Sequence, residues 1–505
     1  MSKNVMSHTL KICVLLLCSI RGFAQIKGDY NWQLGSYSDI STHDNPNSLE
    51  IIFKDGVRTI NSFYRPVNMG YFNASICNNE GDLLLYSNGC QIFDKFHNYI
   101  EGAYNLSPGI LNDEWCVGIA AGYPNFQGGL FLSFFNDSVI ILLHQRKKVL
   151  SNPSQIVVDS LFYTSVILNN GHYEVKDKTL PIVGGDLTEG NVEAIRAKKP
   201  GAWWVIQGEK NSNRYFSILI DSARVDTFFT QAIGDTTYRG SAAGQAAFSP
   251  DGTMYARYNP LDSLSLFSFD RVTGQLSDFR KYHVADSGNI GGLAFSPNSR
   301  FLYACSTYDM YQFDLLADDI QASKVFLGHY DGFLAPFPTT FYHMELGPDC
   351  KIYVIPKTGA TIMHVINSPD EKGLASNFEQ HGMQFPVGNS ITLPNFPNFR
   401  IDFAPPCDPN ISTSFYEIPT EYAPLVLSPN PTENYINIQF GEEWRSIPKV
   451  NIFLVDIAGK LILHKDVVNT ELQNYLLDVS DLSTGVYLVY FHSASKVYSG
   501  KIIKQ

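Results

Sequence analysis

Ala247-Phe248-Ser249-Pro250-Asp251-Gly252-Thr253-Met254-Tyr255 is written a second time, with small changes, as Ala294-Phe295-Ser296-Pro297-Asn298-Ser299-Arg300-Phe301-Leu302-Tyr303. Each copy reads as a short apolar strand, a Pro-Asp or Pro-Asn turn, and a second strand with an aromatic near its start. Proline presets φ in the turn, and Asp or Asn followed by Gly or Ser suits its tighter positions. Leu346-Gly347-Pro348-Asp349-Cys350-Lys351-Ile352-Tyr353 is a weaker third copy. The three prolines stand about 50 residues apart, a spacing that marks an array of stacked units. One such unit cannot bury both of its faces alone, so the repeat requires neighbours.

The same skeleton extends outward. Ala74 to Asp94 alternates strands with Asn/Gly turns, and Asn88-Gly89 between apolar runs is a strong hairpin signal. Val117 to Phe135 and Val192 to Ile206, the latter carrying Trp203-Trp204, follow the same plan. Six strand-turn-strand units thus lie between about residues 71 and 370. His144 to Asp186 lengthens one interval, as an insertion or as a blade that has lost its turn signature. The strands near Trp32 and Phe53 are placed to complete the last unit and close a ring, which removes the open sheet edges. The expected fold is all-β: a β-propeller of six or seven blades over residues 25–403.

Composition agrees. The chain has 505 residues, too long for one ordinary core, with 13% aromatic and only 17% charged side chains. That mixture favours many short strands over long amphipathic helices. A formal net charge of −12 argues against nucleic acid as a partner.

Residues 1–24 read as a signal peptide. Lys3 and Lys11 precede the apolar run Ile12 to Ile20, and Gly22-Phe23-Ala24 supplies a small-residue cleavage site before Gln25. That run is too short to span a bilayer, and no later segment is apolar enough to do so. Of the 8 cysteines, Cys13 and Cys18 leave with the signal. Export permits disulfides among the rest. Cys77 and Cys90 flank one predicted hairpin and are the favoured pair; free buried thiols are the alternative.

Residues 404–423 are Pro-rich and polar and read as a linker. Residues 424–505 form a separate small β domain by their alternation. It contains Pro429-Asn430-Pro431, Asp456-Ile457-Ala458-Gly459-Lys460, Leu482-Ser483-Thr484-Gly485-Val486-Tyr487 and a basic-apolar terminal strand around Lys501. In this order and at the chain end, these motifs closely resemble the type A C-terminal sorting domain of the type IX secretion system. The resemblance implies an immunoglobulin-like sandwich, the type IX machinery as a partner, passage across the outer membrane, and possible attachment to surface lipopolysaccharide. Upstream, the Phe248 and Phe295 repeats resemble WD-type blades without the WD dipeptide. Ser75 to Gly89, Trp203-Trp204-Val205 and Ile391-Thr392-Leu393-Pro394-Asn395-Phe396 are similar to secreted Bacteroidota propeller proteins. That likeness brings a fold and no activity.

No metalloprotease, nucleophile-elbow, Walker or EF-hand spacing is present, and no catalytic residue, cofactor or metal ligand is assigned. His343 and His364 flank a predicted hairpin, where lone histidines are usually exposed or satisfied. Trp203 and Trp204 point to opposite faces of a strand, for blade packing or, for one of them, a sugar platform. Asp226, Asp235, Asp262 and Asp286 would serve an acid/base pair only if they converge at a ring mouth. The leading expectation is an exported binding or scaffold module with a protein or glycan ligand at the propeller face. A glycan hydrolase or lyase with channel carboxylates and a structural adhesin are the alternatives, and fold alone does not choose among them.

Overall fold

In a computed structural model, the described residues are 27–35, 48–63, 65, 67–151, 154–236, 244–285, 288–403, 405–413, 426–439, 449–456, 461–468, 475–492 and 497–505. They fall into two units, Met1–Thr413 and Ser414–Gln505 along the chain. The signal peptide, Asp286, Gly459, Lys460 and the later part of the predicted linker lie outside the described residues.

The first unit is a propeller of seven four-stranded sheets. Blade 1 is Asn31–Gly35, Ser48–Lys54 and Val57–Phe63, edged by Ser412–Thr413. Blade 2 is Ala74–Cys77, Leu83–Ser87, Gln91–Asp94 and Tyr99–Tyr104. Blade 3 is Gly129–Phe134, Val139–Ser151, Ser154–Asn169 and His172–Leu187. Blade 4 is Glu193–Arg196, Trp203–Gly208, Arg214–Asp221 and Arg224–Ala232. Blade 5 is Gln245–Phe248, Met254–Asn259, Ser263–Asp270 and Gln275–Tyr282. Blade 6 is Gly292–Phe295, Phe301–Cys305, Asp309–Asp314 and Val325–His329. Blade 7 is Phe341–Leu346, Ile352–Pro356, Ala360–Ile366 and Phe378–Asn389.

The repeat that announces the fold is a hydrogen-bond pattern. In blade 5 the Ser249 N–H donates to Met254 O and the Gly252 N–H to Ser249 O, while the Asp251 carboxylate accepts from the Thr253 N–H and the Ser249 hydroxyl. Blade 6 repeats this with Ser296, Asn298, Ser299 and Arg300. The residue after the Asp or Asn has positive φ in all three copies: 71° at Gly252, 60° at Ser299 and 63° at Cys350. Glycine meets that need without steric cost, and the other two hold it against the usual preference. The long interval after the second unit is an elongation within blade 3, whose last three strands run 13, 16 and 16 residues. Its outermost strand carries Pro181 and register shifts, features that blunt an exposed edge.

The aromatic content is spent between blades. Trp203 is fully buried and its indole N–H reaches Ser133 O of blade 3. Trp204 points the other way, donating to Arg271 O in the turn between the last two strands of blade 5. Gly274 has φ +74°, and a Cβ there would lie 2.6 Å from the Trp204 ring. Blade 7 meets blade 1 through Tyr353, whose ring is 5.4 Å from Trp32 and whose hydroxyl accepts from Arg58 at 2.5 Å. The N-terminal strands therefore form a blade of their own that closes the ring.

Two corrections concern the cysteines and the linker. The disulfides are Cys90–Cys116 and Cys350–Cys407; Cys77 is free and buried. Cys77 pairs in register with Leu83, whereas Cys90 follows Ser87 at the opposite end of the same two strands, so the predicted pair faces different ends of the blade. Cys350–Cys407 also ties part of the predicted linker to the propeller. Ser412–Thr413 then adds to blade 1 in parallel with Val57 and Arg58. Proline richness there reflects an irregular strap lying on the ring.

The second unit has a three-stranded sheet, Val426–Ser428, Tyr435–Gln439 and Tyr475–Asp478, and a four-stranded sheet of Leu461–Val468, Lys449–Asp456, Gly485–His492 and Val497–Lys504. Ile436, Ile438, Ile452, Leu454, Val489 and Ile502 are buried between them in one core, as a β-sandwich requires.

Candidate ligand pocket

The propeller axis is filled by the chain itself. Ser390 to Arg400 follows the last strand of blade 7 and runs inside the first strand of blade 1, from the Ser390–Gly35 backbone bond to an ion pair between Arg400 and Asp29. Asn395 reaches three other blades. Its N–H donates to Asn73 O, and its side-chain amide donates to Gly129 O at 3.2 Å and Val192 O at 3.0 Å. Asn398 donates to Ala194 O from the backbone and to Ser249 O from the side chain. Leu393, Phe396 and Phe399 are buried. Asparagines suit this task because one amide satisfies several backbone groups that the ring leaves unpaired at its centre.

Beside this segment remains a polar cavity of about 70 Å³, lined in part by Gln127, Glu193, Gln245 and Glu345. It has room for a few waters. Burial raises the Glu193 carboxyl well above its ordinary range, with Glu345 adding to the effect. Burial also pushes Glu345 up to about 8. Glu193 accepts from Gln127 at 2.9 Å. Gln245 clamps blades 6 and 7, accepting from the Leu293 and Met344 N–H groups and donating to Met344 O. These are neutral acids in a knot of amides, beside a space that holds no more than a few waters.

Of the acidic residues considered from sequence, those described are neutralised by surface lysines and do not gather at a ring mouth. Asp226 pairs with Lys199, while Asp235 and Asp262 both pair with Lys281 at 3.0 Å on the surface. His343 is buried, sits 3.0 Å from Gly244 O and is held neutral near 4 by desolvation; His364 is buried near 3 for the same reason. Among the described residues no group of three His, Cys, Asp or Glu is placed to hold a metal. Both tryptophans serve blade packing.

A larger opening lies on blade 2, where sequence reading found only a hairpin. A cavity of about 410 Å³ is lined by Asn88 and Cys90 in the turn before the third strand, Gln91 and Phe93 on that strand, and His97, Asn98 and Tyr99 after it; Val67, Cys116 and Ala120 complete the wall. Cys116 belongs to a π-helical turn, Asp113–Gly118, which the Cys90–Cys116 bond fastens over the pocket. Such turns recur at functional sites. His97 has φ 66°, stacks on Phe63 at 4.7 Å and accepts or donates at Nδ1 with the Tyr86 hydroxyl at 3.1 Å. Burial, assisted by the nearby Arg65 cation, lowers its pKa and keeps it neutral at neutral pH. Arg65 itself is buried between Phe63 and Tyr86 and bound to Gln33 and Leu34 O. The one sequence signal for this site was the Asn88-Gly89 turn, which also orients the disulfide.

In the sandwich unit, Asn430 fastens the terminal strand. Its amide donates to Lys501 O at 2.6 Å and its carbonyl accepts from the Ile503 N–H at 2.8 Å. Pro429 and Pro431 flank it through cis peptide bonds. Gly485 pairs with Lys504, Asp456 pairs with Tyr487, and the Tyr487 hydroxyl donates to Ser483 O. The motif residues that the structure describes therefore gather along one sheet and its edge.

The chain thus joins a seven-bladed propeller to a C-terminal β-sandwich. Residues 427–505 match the family described as secretion system C-terminal sorting domain. The chain is accordingly a type IX export substrate, secreted or displayed at the cell surface. No helix among the described residues is long and apolar enough to cross a membrane. Comparison with curated proteins returns no match. Among solved structures, a candidate 6-phosphogluconolactonase from Bacteroides uniformis is 10% identical over 71% of this chain and 97% of its own, with a TM-score of 0.43. A second from Bacteroides fragilis is 12% identical over 72% and 98%, at 0.42. The Dos1 propeller is 12% identical over 64% and 86%, at 0.35.

Proposed function

We propose that this protein is an exported binding module whose ligand enters the blade 2 pocket, while the propeller axis serves as its structural knot. One observation carries this reading. The axis holds only about 70 Å³ beside the protein's own segment, whereas the blade 2 pocket holds about 410 Å³. Small-ligand sites span roughly 300–1,000 Å³, so only the second has the required size. The side chains of Gln91 and Asn98 make no hydrogen bond to any described residue, so the pocket holds uncommitted polar groups. At the axis the amides are occupied by backbone. In this reading the signal peptide of residues 1–24 delivers the chain to the periplasm, and Pro429, Asn430, Pro431, Asp456, Gly459, Lys460, Gly485, Tyr487 and Lys501 form the motif that the type IX machinery reads.

Two measurements test this. Removing residues 424–505 is expected to leave the propeller folded in the periplasm; unchanged surface display would refute the export role of the tail. Binding to any ligand is expected to weaken when Tyr99 becomes Ala and to survive substitutions at the surface ion pairs around Lys281. Turnover of a bound ligand would overturn the binding-module reading in favour of an enzyme.

A further inference from the structure

We infer that the blade 2 pocket selects a neutral, hydroxyl-rich ligand, an uncharged saccharide, and discriminates against acidic ones. The inference rests on the reading that this pocket is the ligand site. Its argument is the chemistry of the walls. Among the described residues, no Asp, Glu, Lys or Arg lines the cavity. The nearby guanidinium of Arg65 is buried and bound to Gln33, Leu34 O and Val67 O, so it is withheld from a ligand anion. His97, the titratable group facing the cavity, has its pKa depressed and presents an uncharged ring. An anionic ligand would lose its hydration without gaining a cation in return.

What the pocket does offer is paired donors and acceptors. The Gln91 and Asn98 amides each carry a carbonyl and an NH₂. A sugar hydroxyl is likewise donor and acceptor at once, so one amide engages two adjacent hydroxyls. Tyr99, which lines the pocket, is 60% exposed, and Phe93 lines it from the preceding strand. These rings provide flat apolar surface, and the Tyr99 hydroxyl adds a polar handle. The weakly polar C–H face of a pyranose fits such a surface while its rim hydroxyls reach the amides. The Cys90–Cys116 bond and the π-helical turn hold the opposite wall in place before any ligand arrives, which lowers the ordering cost of binding.

The test uses the secreted full chain on an array of neutral, uronate-bearing and sulfated oligosaccharides together with peptides, followed by titration calorimetry on each hit. Three proteins are compared: wild type, Tyr99→Ala, and the double variant Gln91→Ala with Asn98→Ala. Thermal melts confirm that each folds. The expected result is binding of neutral oligosaccharides that falls about tenfold or more in both variants, with acidic analogues of equal length bound more weakly. Acidic glycans or peptides bound preferentially, with the same loss in the variants, would overturn the saccharide class and leave the pocket intact as the ligand site. Binding that neither variant alters would overturn the pocket itself. No binding to any neutral oligosaccharide would refute the inference.

Discussion

The axis and the blade 2 pocket are built from the same kinds of side chain and reach opposite ends. Both are rich in Asn and Gln, and both hold titratable groups whose charge is suppressed by burial. At the axis, Asn395, Asn398, Gln127 and Gln245 are engaged by backbone groups of several blades and, for Gln127, by the Glu193 and Asn395 side chains. In blade 2, Gln91 and Asn98 are left open beside exposed aromatic rings. A polar interior with every amide engaged works as glue, because any one loss strands a buried partner. A polar opening with amides unengaged has binding capacity that the fold itself does not consume.

The comparison is broken most forcefully at Arg400. This residue joins the axial segment to Asp29, just before the first strand of blade 1, and to Leu346 O of blade 7. Arg400→Ala leaves the Asp29 carboxylate, 4% exposed, without its cation. Breaking one partner of such a buried pair costs about 3–5 kcal/mol. Denaturant unfolding is expected to show a loss of that size; a change under about 1 kcal/mol would mean that the axial segment does not hold the blades together. The second break is Cys407→Ser. Cys350–Cys407 closes a separation of 57 residues, against 26 for Cys90–Cys116. Chain-entropy reasoning gives about 4 kcal/mol for the longer loop and somewhat less for the shorter. Equal losses on removing each bond would show that local packing, and not loop closure, sets their worth.

The third prediction concerns pH and sharpens the contrast within the axis. Glu345 titrates near 8 in the folded protein and near 4.5 when exposed on unfolding. Between these values the unfolded state has released the proton that the folded state retains, so stability falls as pH rises from about 4.5 to 8. Glu345→Gln keeps the shape without the ionisation. It is expected to flatten that decline, gaining on the order of 4 kcal/mol over wild type at pH 8 and little at pH 4. Parallel pH profiles for the two proteins would refute the assignment.

How much of this was legible beforehand follows from where each contact lies along the chain. The Ser-Pro-Asp-Gly repeat was readable because its hydrogen bonds span five residues or fewer, from Ser249 to Met254. The sorting motif was readable for a related reason: Pro429-Asn430-Pro431 and Leu482 to Tyr487 are contiguous, even though Asn430 acts on Ile503. The axial segment was noticed as Ile391 to Phe396, but its role was hidden, since Asn395 bonds residues 203 and 266 positions away. The Cys77–Cys90 expectation failed because proximity in sequence was taken for proximity in space, when the strand between them carries the two sulfurs to opposite ends. The pocket was invisible because the Asp113–Gly118 turn that walls it has neither helical nor strand periodicity.

A smaller break lies in the turns. Ser249→Ala removes a hydroxyl that donates to Asp251 at 2.6 Å and accepts from the Met254 N–H. One such local bond contributes about 1 kcal/mol. The matching change at Ser296 in blade 6 is expected to cost about the same, but the double variant should depart from the sum, because the Asp251 N–H donates to the Ser299 hydroxyl at 3.1 Å and couples the two turns.

The smallest expected effect on stability falls where the largest effect on binding is expected. Tyr99 is 60% exposed, begins the outermost strand of blade 2, and has no hydrogen bond from its hydroxyl to any described residue. Replacing it with Ala removes little buried surface, so the change in unfolding free energy is expected to stay within about 0.5 kcal/mol. If Tyr99 existed to support the fold, its loss would move the thermal midpoint and leave ligand titrations untouched. If it exists to meet a ligand, the midpoint stays and the titration weakens. Those two measurements on one variant separate a surface kept open for function from a surface that is merely exposed, which is the same distinction that divides the pocket from the axis.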